Sequence, residues 1–329
     1  MLLHKDLKET MKVEQIELAI QELLKQIDGT SRPANEVINS YTRMRRYIGS
    51  KDRRAITDGV WQNLRSRPTP DWIKKIIPEN ELLAMNETAK TVLRANGNRL
   101  EIQKELQSQD VDTDLTPISP IGLVLKKRVN LSGVKAYQDG LIEVQDEGSQ
   151  LLALATKIKS GDKVLDYCAG AGGKSLAFAQ MMQNQGQIVA HDVSAISLKK
   201  LQQRARRANV DIIRTTQKPQ GLFDHVVVDA PCSGTGTWRR QPDARLKLKQ
   251  EQIKKYVQTQ AQILDKACQF VKPNGYLHYM TCSLLQDENQ NQMKTFLKLH
   301  ALFHLVHHAQ WTPAKHKTDG FFLATFQRQ

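Results

Sequence analysis

The sequence predicts an α/β protein: a doubly wound, mostly parallel sheet preceded by an N-terminal helical domain and a small α/β module. Three observations carry this. From about residue 145 onward, short apolar runs alternate with helical periodicities, the pattern of a sheet with helices on both faces. One of those runs, "FDHVVVDAP", is apolar enough to be buried on both faces, as a central parallel strand is. From Met11 to about Asn63, by contrast, apolar residues recur at three- and four-residue steps.

Taken in order, Val13, Ile16, Ile20, Leu23, Leu24 and Ile27 mark the apolar stripe of a first helix, and "DGTSRPANEV" makes a turn and a fresh start. The next stretch clusters Arg43, Arg45, Arg46, Lys51, Arg53 and Arg54; it is either an exposed helical face or a phosphate-contacting one. After "RSRPTPDW" come the short strands "TVLRAN", "GLVLKKRVNL" and "LIEVQ", with a helix around "NRLEIQKELQS". Beyond that, "DKVLDYC", "QIVAHDV", "FDHVVVDAP" and "YLHYMTCS" read as strands. "KSLAFAQMMQ", "AISLKKLQQRARRA" and "QEQIKKYVQTQAQILDKACQFV" read as the helices between them, the last closed by "KPNG". The expected domains are residues 1–75 (helical), 76–144 (small α/β module) and 145–329 (doubly wound sheet).

Bulk properties narrow the class. No apolar run approaches the roughly 18 residues needed to span a bilayer, and the N-terminal "MLLHKDLKETMKVEQ" has no apolar signal core. A cytoplasmic protein with no membrane partner is therefore expected. Lys+Arg number 48 against 34 Asp+Glu, a net charge of +14, which suits a polyanionic partner such as nucleic acid or serves solubility alone. The four cysteines form no CxxC pair, so no zinc site or other metal is expected, nor a disulfide framework in a cytosolic chain of this size.

The chemistry is concentrated in "DYCAGAGGKS". Its Gly-Lys-Ser ending imitates a phosphate loop, but the first glycine of GxxxxGK[ST] would fall on Cys168. The third glycine of GxGxxG, counted from Gly170, would fall on Ser175. What survives is strand, acidic residue, small-residue turn and helix. Gly170, Gly172 and Gly173 let the main chain approach a ligand closely, and the amides at the helix start favour a carboxylate. Asp192, at the end of the second strand, can accept hydrogen bonds from a ribose diol. A ribose and a carboxylate without polyphosphate describe S-adenosylmethionine.

Cys232 in "DAPCSGTGT" and Cys282 in "YMTCS" both stand at carboxyl ends of strands, beside that loop. Cys268 shares a helical stripe with Ile253, Tyr256, Val257, Leu264 and Val271 and reads as core; Cys168 reads as a small residue fitting its turn. A thiol beside a methyl donor has a use in pyrimidine chemistry. Thiolate addition to carbon 6 of cytosine makes carbon 5 nucleophilic, and loss of the carbon 5 proton after methylation releases the thiol. A carboxyl group facing N3 and the exocyclic amine would orient and activate the ring; Asp229 is the candidate. The residues alone do not rank the two thiols.

The strings "VQDEGSQLLALA", "DYCAGAGGKS", "DAPCSGTGTWRRQPDA", "YMTCSLLQDEN" and "TDGFFLATFQR" closely resemble the RsmB/Nop/Sun family of RNA cytosine-5 methyltransferases. The resemblance runs from about residue 143 to the end. More loosely, "TVLRAN" resembles that family's RNA-recognition module, and the N-terminal helices resemble the NusB-like domain of the RsmB (16S rRNA) branch. The resemblance implies a Rossmann-like S-adenosylmethionine-dependent methyltransferase domain. It implies Cys282 as nucleophile, Cys232 as the thiol assisting product release, and Asp229 at the base. It implies a cofactor cradle of Cys168, Ala169, Gly170, Ala171, Gly172, Gly173 and Lys174, with Asp192 and Asp229. One departure stands out: the acidic residue usual after the third strand is replaced by Thr215, Thr216 and Gln217, and Asp211 comes too early.

The expected function is methylation of carbon 5 of a cytosine in RNA, with ribosomal RNA favoured by the NusB-like resemblance. The target would be a loop or unfolded site, because the base must leave any stack. A monomer is expected, with Arg239 and Arg240 as RNA contacts or a solvated pair. The alternatives are a tRNA methyltransferase, a non-catalytic RNA-binding assembly factor and, weakened by Cys168, an NTPase.

Overall fold

The computed structural model describes residues 11–329; the first ten residues, where the charged N-terminal stretch begins, lie outside the described residues. The chain forms two compact units. One takes the residues up to Glu87 together with Trp238–Lys249, the other Thr88–Thr237 and Gln250–Gln329. Among the described residues no helix is long and apolar enough to cross a membrane.

The first unit is helical. Helices Val13–Asp28, Ala34–Met44 and Ser50–Ser66 bury Leu23, Ile27, Val37, Ile38, Ile56, Val60 and Leu64 in one core, the three- and four-residue stripe of the sequence. A short helix from the far half of the chain, Pro242–Lys247, completes this unit. Its Asp243 accepts a hydrogen bond from the Ala34 amide (2.9 Å) at the start of Ala34–Met44, where helix amides lack partners of their own. Its Arg245 donates to the Arg65 and Arg67 carbonyls (both 3.1 Å) at the end of Ser50–Ser66. The stretch falls within the range 145–329 assigned above to the sheet domain, yet its packing is that of the helical unit. Arg239, a candidate RNA contact, is buried here, and its carbonyl takes a hydrogen bond from Arg65. Arg43, Arg46, Lys51 and Arg54 are exposed.

The second unit opens with β1 (Val92–Ala95), β2 (Thr113–Leu115), β3 (Gly122–Leu125) and β4 (Ile142–Val144), an antiparallel sheet in the order β2-β3-β1-β4. Helix Arg99–Gln107 packs on it, its first amides capped by Asn98, which accepts from Leu100 at 3.0 Å. The expected strand "GLVLKKRVNL" is shorter than its β-branched composition suggests. Pairing stops at Leu125, and Asn130 folds its side chain onto the Ser132 amide to make a 3-10 turn, Leu131–Gly133.

The large sheet comprises β5 (Lys163–Asp166), β6 (Gln187–His191), β7 (Ile213–Thr216), β8 (Phe223–Asp229), β9 (Val271–Thr281), β10 (Phe303–Trp311) and β11 (Phe321–Arg328), in the order β10-β11-β9-β8-β5-β6-β7. Strands β5 to β9 are mutually parallel, and β11 runs antiparallel between β9 and the edge strand β10. This is a Rossmann-like sheet. From β5 the chain winds outward to β6 and β7, then returns to β8 on the other side. The crevice at the carboxyl ends of β5 and β8 is thus the switch point where doubly wound folds take ligands. Val226, Val227 and Val228 of β8 are fully buried. The "KPNG" stretch, expected to close a helix, lies inside β9: the helix Gln250–Ala267 ends earlier, through a 3-10 turn at Cys268–Phe270, and the strand starts at Val271.

At the opposite end of the sheet a buried polar chain runs from Asp162 to His225 (3.2 Å), His278 (2.9 Å) and Thr325 (3.0 Å). Two facing imidazoles share one proton, so a second proton there is repelled. Burial lowers both imidazole pKa values, and in His278 the neighbouring His225 adds to it. Below about pH 6.5 the unfolded chain therefore binds protons that the folded chain refuses, and stability is lost as pH falls. Asp166 has the opposite sign: burial pushes it up to about 7, and the stability it contributes is lost as pH rises through that value. Comparing variants separates the two. Between about pH 7.5 and about pH 5 the wild type should lose more stability than His278→Asn in denaturant unfolding; parallel curves would refute the assignment.

Candidate active site

The glycine loop joins β5 to the helix Gly173–Met181. Gly172 caps that helix in the left-handed region, with φ +85°, and a Cβ there would lie 2.5 Å from Leu201. Gly170 also has positive φ, and a Cβ at Gly170 or Gly173 would meet nothing within 4 Å, so the loop has an open side. Ser175, which spoils the dinucleotide fingerprint, donates to the buried Asp166 at 2.6 Å and so latches the helix start to the end of β5. The Cys168 thiol is pushed up by burial and by the charges of Asp166, Asp229 and Asp192, which suits a packing role.

Asp192, just past β6, accepts from the Gly170 amide (2.9 Å) and the Ser194 amide (2.8 Å), so it also fixes the loop's shape. Lys174, grouped above with the cofactor cradle, directs its ammonium to Asp229 at 2.9 Å and to the Ser149 hydroxyl at 3.0 Å. On the far side of the loop, Asp211 precedes β7 and bonds Asn184, away from the carboxyl edge. Thr216 ends β7, and Gln217 donates to the Val193 carbonyl at 3.0 Å.

Strands β8 and β9 are adjacent and parallel, which brings their two following loops together. Cys232 and Cys282 end with Sγ atoms 3.3 Å apart, both as free thiols. The loops are laced to each other: the Gly236 amide donates to the Cys282 carbonyl (2.9 Å), and the Leu284 amide donates to the Thr235 hydroxyl (2.8 Å). Gly236 lies so close to Gly320 that a Cβ would sit 2.3 Å from its carbonyl oxygen. The "TDGFF" segment thereby packs on the Cys232 loop. The Cys232 thiol is raised well above the ordinary cysteine value, first by its hydrogen bond to Cys282, then by burial, the Cys282 charge and Glu288.

Other residues the sequence did not single out complete the site. Glu288 is fully buried and accepts from the Ser233 amide at 2.8 Å and from the Ser283 hydroxyl at 2.5 Å. Arg94, from β1, donates to Gln145 (2.8 Å) and to the Gly173 carbonyl (3.2 Å); burial brings its guanidinium down to about 10. The small module thus braces the glycine loop. Glu147 holds the Ile118 and Ser119 amides, each at 2.7 Å. All three lie inside the quoted strings, but their partners include residues far away in sequence, so the strings alone do not show what each one holds.

A family model described as 16S rRNA methyltransferase RsmB/F matches residues 153–327. The ribosomal RNA small subunit methyltransferase B of Photorhabdus laumondii is 30% identical over 79% of this chain and 66% of its own length. That of Pasteurella multocida is 31% identical over 87% of this chain and 70% of its own. The chain spans about two thirds of the length of these relatives. Among solved structures, a methyltransferase homolog protein from Pyrococcus horikoshii shares the fold with a TM-score of 0.69 at 24% identity, over 79% of this chain and 94% of that one.

Proposed function

The chain belongs to the RsmB/F family of 16S rRNA methyltransferases, and from that premise we propose that it methylates carbon 5 of a cytosine in ribosomal RNA, using S-adenosylmethionine. The observation that carries this reading is the pair of thiols 3.3 Å apart at neighbouring strand ends, next to the Lys174–Asp229 pair at the same sheet edge.

The loop fits S-adenosylmethionine: it has an open side at Gly170 and Gly173 and no room made for a polyphosphate by further glycines. Residues Cys168 to Gly173 and Asp192 would hold it, with Thr216 and Gln217 as the polar groups on the β7 side. When bound it supplies an electrophilic methyl group.

The chain's own residues do the rest. Asp229, fixed by Lys174, faces N3 and the exocyclic amine of a base drawn out of its stack. Cys282 adds to carbon 6 as a thiolate. Cys232, held as a thiol by its raised pKa, donates its S–H to the Cys282 sulfur and steadies the negative charge there. After methylation, water takes the carbon 5 proton, the C–H pair re-forms the C5–C6 double bond, and the C6–S pair returns to Cys282 with Cys232 beside the departing sulfur.

Exposed Arg43, Arg46, Lys51 and Arg54 would contact RNA phosphates. The test is a nucleotide-resolution map of 5-methylcytosine in RNA from cells with and without the gene. One site lost from small-subunit ribosomal RNA is expected; an unchanged map would sink the proposal, and a site lost from transfer RNA would redirect it.

A further inference from the structure

We propose that Glu288 is a positioning residue that ties the two cysteine loops into one unit and sets the spacing of their thiols. Cys232 and Cys282 are each followed by a serine, and both serines bond the same carboxylate. One Glu288 oxygen accepts from the Ser233 amide (2.8 Å) and from Gln260 (3.0 Å), and the other accepts from the hydroxyls of Ser233 and Ser283. The neighbouring backbone is anchored as well. Tyr279 of β9 donates to the Glu288 carbonyl (2.6 Å), and Asn289 donates to the Ser283 carbonyl (2.8 Å). Gln260, reaching in from the helix Gln250–Ala267, also donates to Pro231 at 3.0 Å.

A fully buried carboxylate with both oxygens doubly engaged is costly to place unless its partners are fixed. Here the fixed partners are the residues next to the two thiols. Truncating Glu288 would leave Ser233, Ser283 and Gln260 without it, and the loops would keep only the ties that bypass it, such as Gly236–Cys282 and Leu284–Thr235. The charge has its own consequence, because Glu288 is among the groups that keep Cys232 protonated. The other titratable groups in that field are Cys282, Tyr256 from the helix and Tyr279 from β9.

The inference rests on the reading of Cys282 and Cys232 as the reacting thiols, but its test reads the clamp whether or not any RNA is methylated. Diamide, an azo oxidant that takes up the two thiol hydrogens as the S–S bond forms, should trap Cys232–Cys282 in the wild type. In Glu288→Ala the trapping rate should fall at least about 10-fold, with S-adenosylmethionine affinity held and kcat down about 10²-fold, as for a small misplacement of reacting groups. Glu288→Gln keeps the shape: its amide oxygen can face the Ser233 and Gln260 donors and its NH2 the two hydroxyls. It should restore trapping, while the pH midpoint for peptide-resolved alkylation of Cys232 moves down, because the neutral amide no longer opposes its ionisation.

Trapping at the wild-type rate in folded Glu288→Ala, or an unmoved Cys232 midpoint in Glu288→Gln, would overturn the proposal. Should Glu288→Ala fail to fold, the Ser233→Ala/Ser283→Ala double variant removes the two hydroxyl arms alone. Slowed trapping in that variant supports the clamp and wild-type trapping refutes it.

Discussion

Cys282→Ala is expected to abolish methyl transfer, with a loss of at least about 10⁴-fold, while Cys232→Ala retains the first half of the reaction and stalls with RNA bound covalently. The asymmetry follows from the proposed roles, with Cys282 as the group that bonds carbon 6. The Cys232 thiol is pushed up by its bond to Cys282, by burial and by Glu288, which disfavours its thiolate. Removing it leaves the Cys282 sulfur without its neighbour at 3.3 Å at the step where the carbon–sulfur bond breaks. Denaturing gels of each variant incubated with RNA and S-adenosylmethionine distinguish the outcomes: a shifted protein–RNA band for Cys232→Ala and none for Cys282→Ala. A band with Cys282→Ala instead would exchange the two roles.

Much of this arrangement is legible in the sequence where the cause is local. The parallel strands show as apolar runs because β5 and β8 are buried on both faces. The glycine loop shows because Gly172 needs a left-handed backbone that other residues adopt at a cost. Periodicity does not mark the edge strand β10. In β10 the residues His304, His307 and His308 are exposed, and a break in register between Leu305 and His307 disturbs the alternation that would mark a strand. Nor does any local pattern place Trp238–Lys249 with the N-terminal helices, since Asp243 and Arg245 find their partners at Ala34, Arg65 and Arg67. Glu288 and Arg94 escape for the same reason. Both lie inside quoted strings, but only the fold sets Glu288 against the distant Cys232 loop as well as its own, and Arg94 against the Gly173 carbonyl.

Lys174 and Asp229 form the second point where a small change should have a large effect. The lysine side chain is only 8% exposed and the aspartate 31%, so neither can be removed without leaving its partner's charge poorly solvated. Asp229 also raises Asp166, whereas Lys174 offsets it, so losing the lysine leaves two carboxylates facing each other across the loop. Asp229→Ala should lower the single-turnover rate by about 10²–10⁴-fold, the range for losing a group that activates a base by hydrogen bonding. Lys174→Met should lower it by about 10²-fold by letting Asp229 drift from its position. Because the lysine acts through the aspartate, the double variant should be no slower than Asp229→Ala alone, a coupling that a double-mutant cycle measures directly. Additive losses would mean that Lys174 has a separate duty at the glycine loop, the one its place in "GGKS" first suggested.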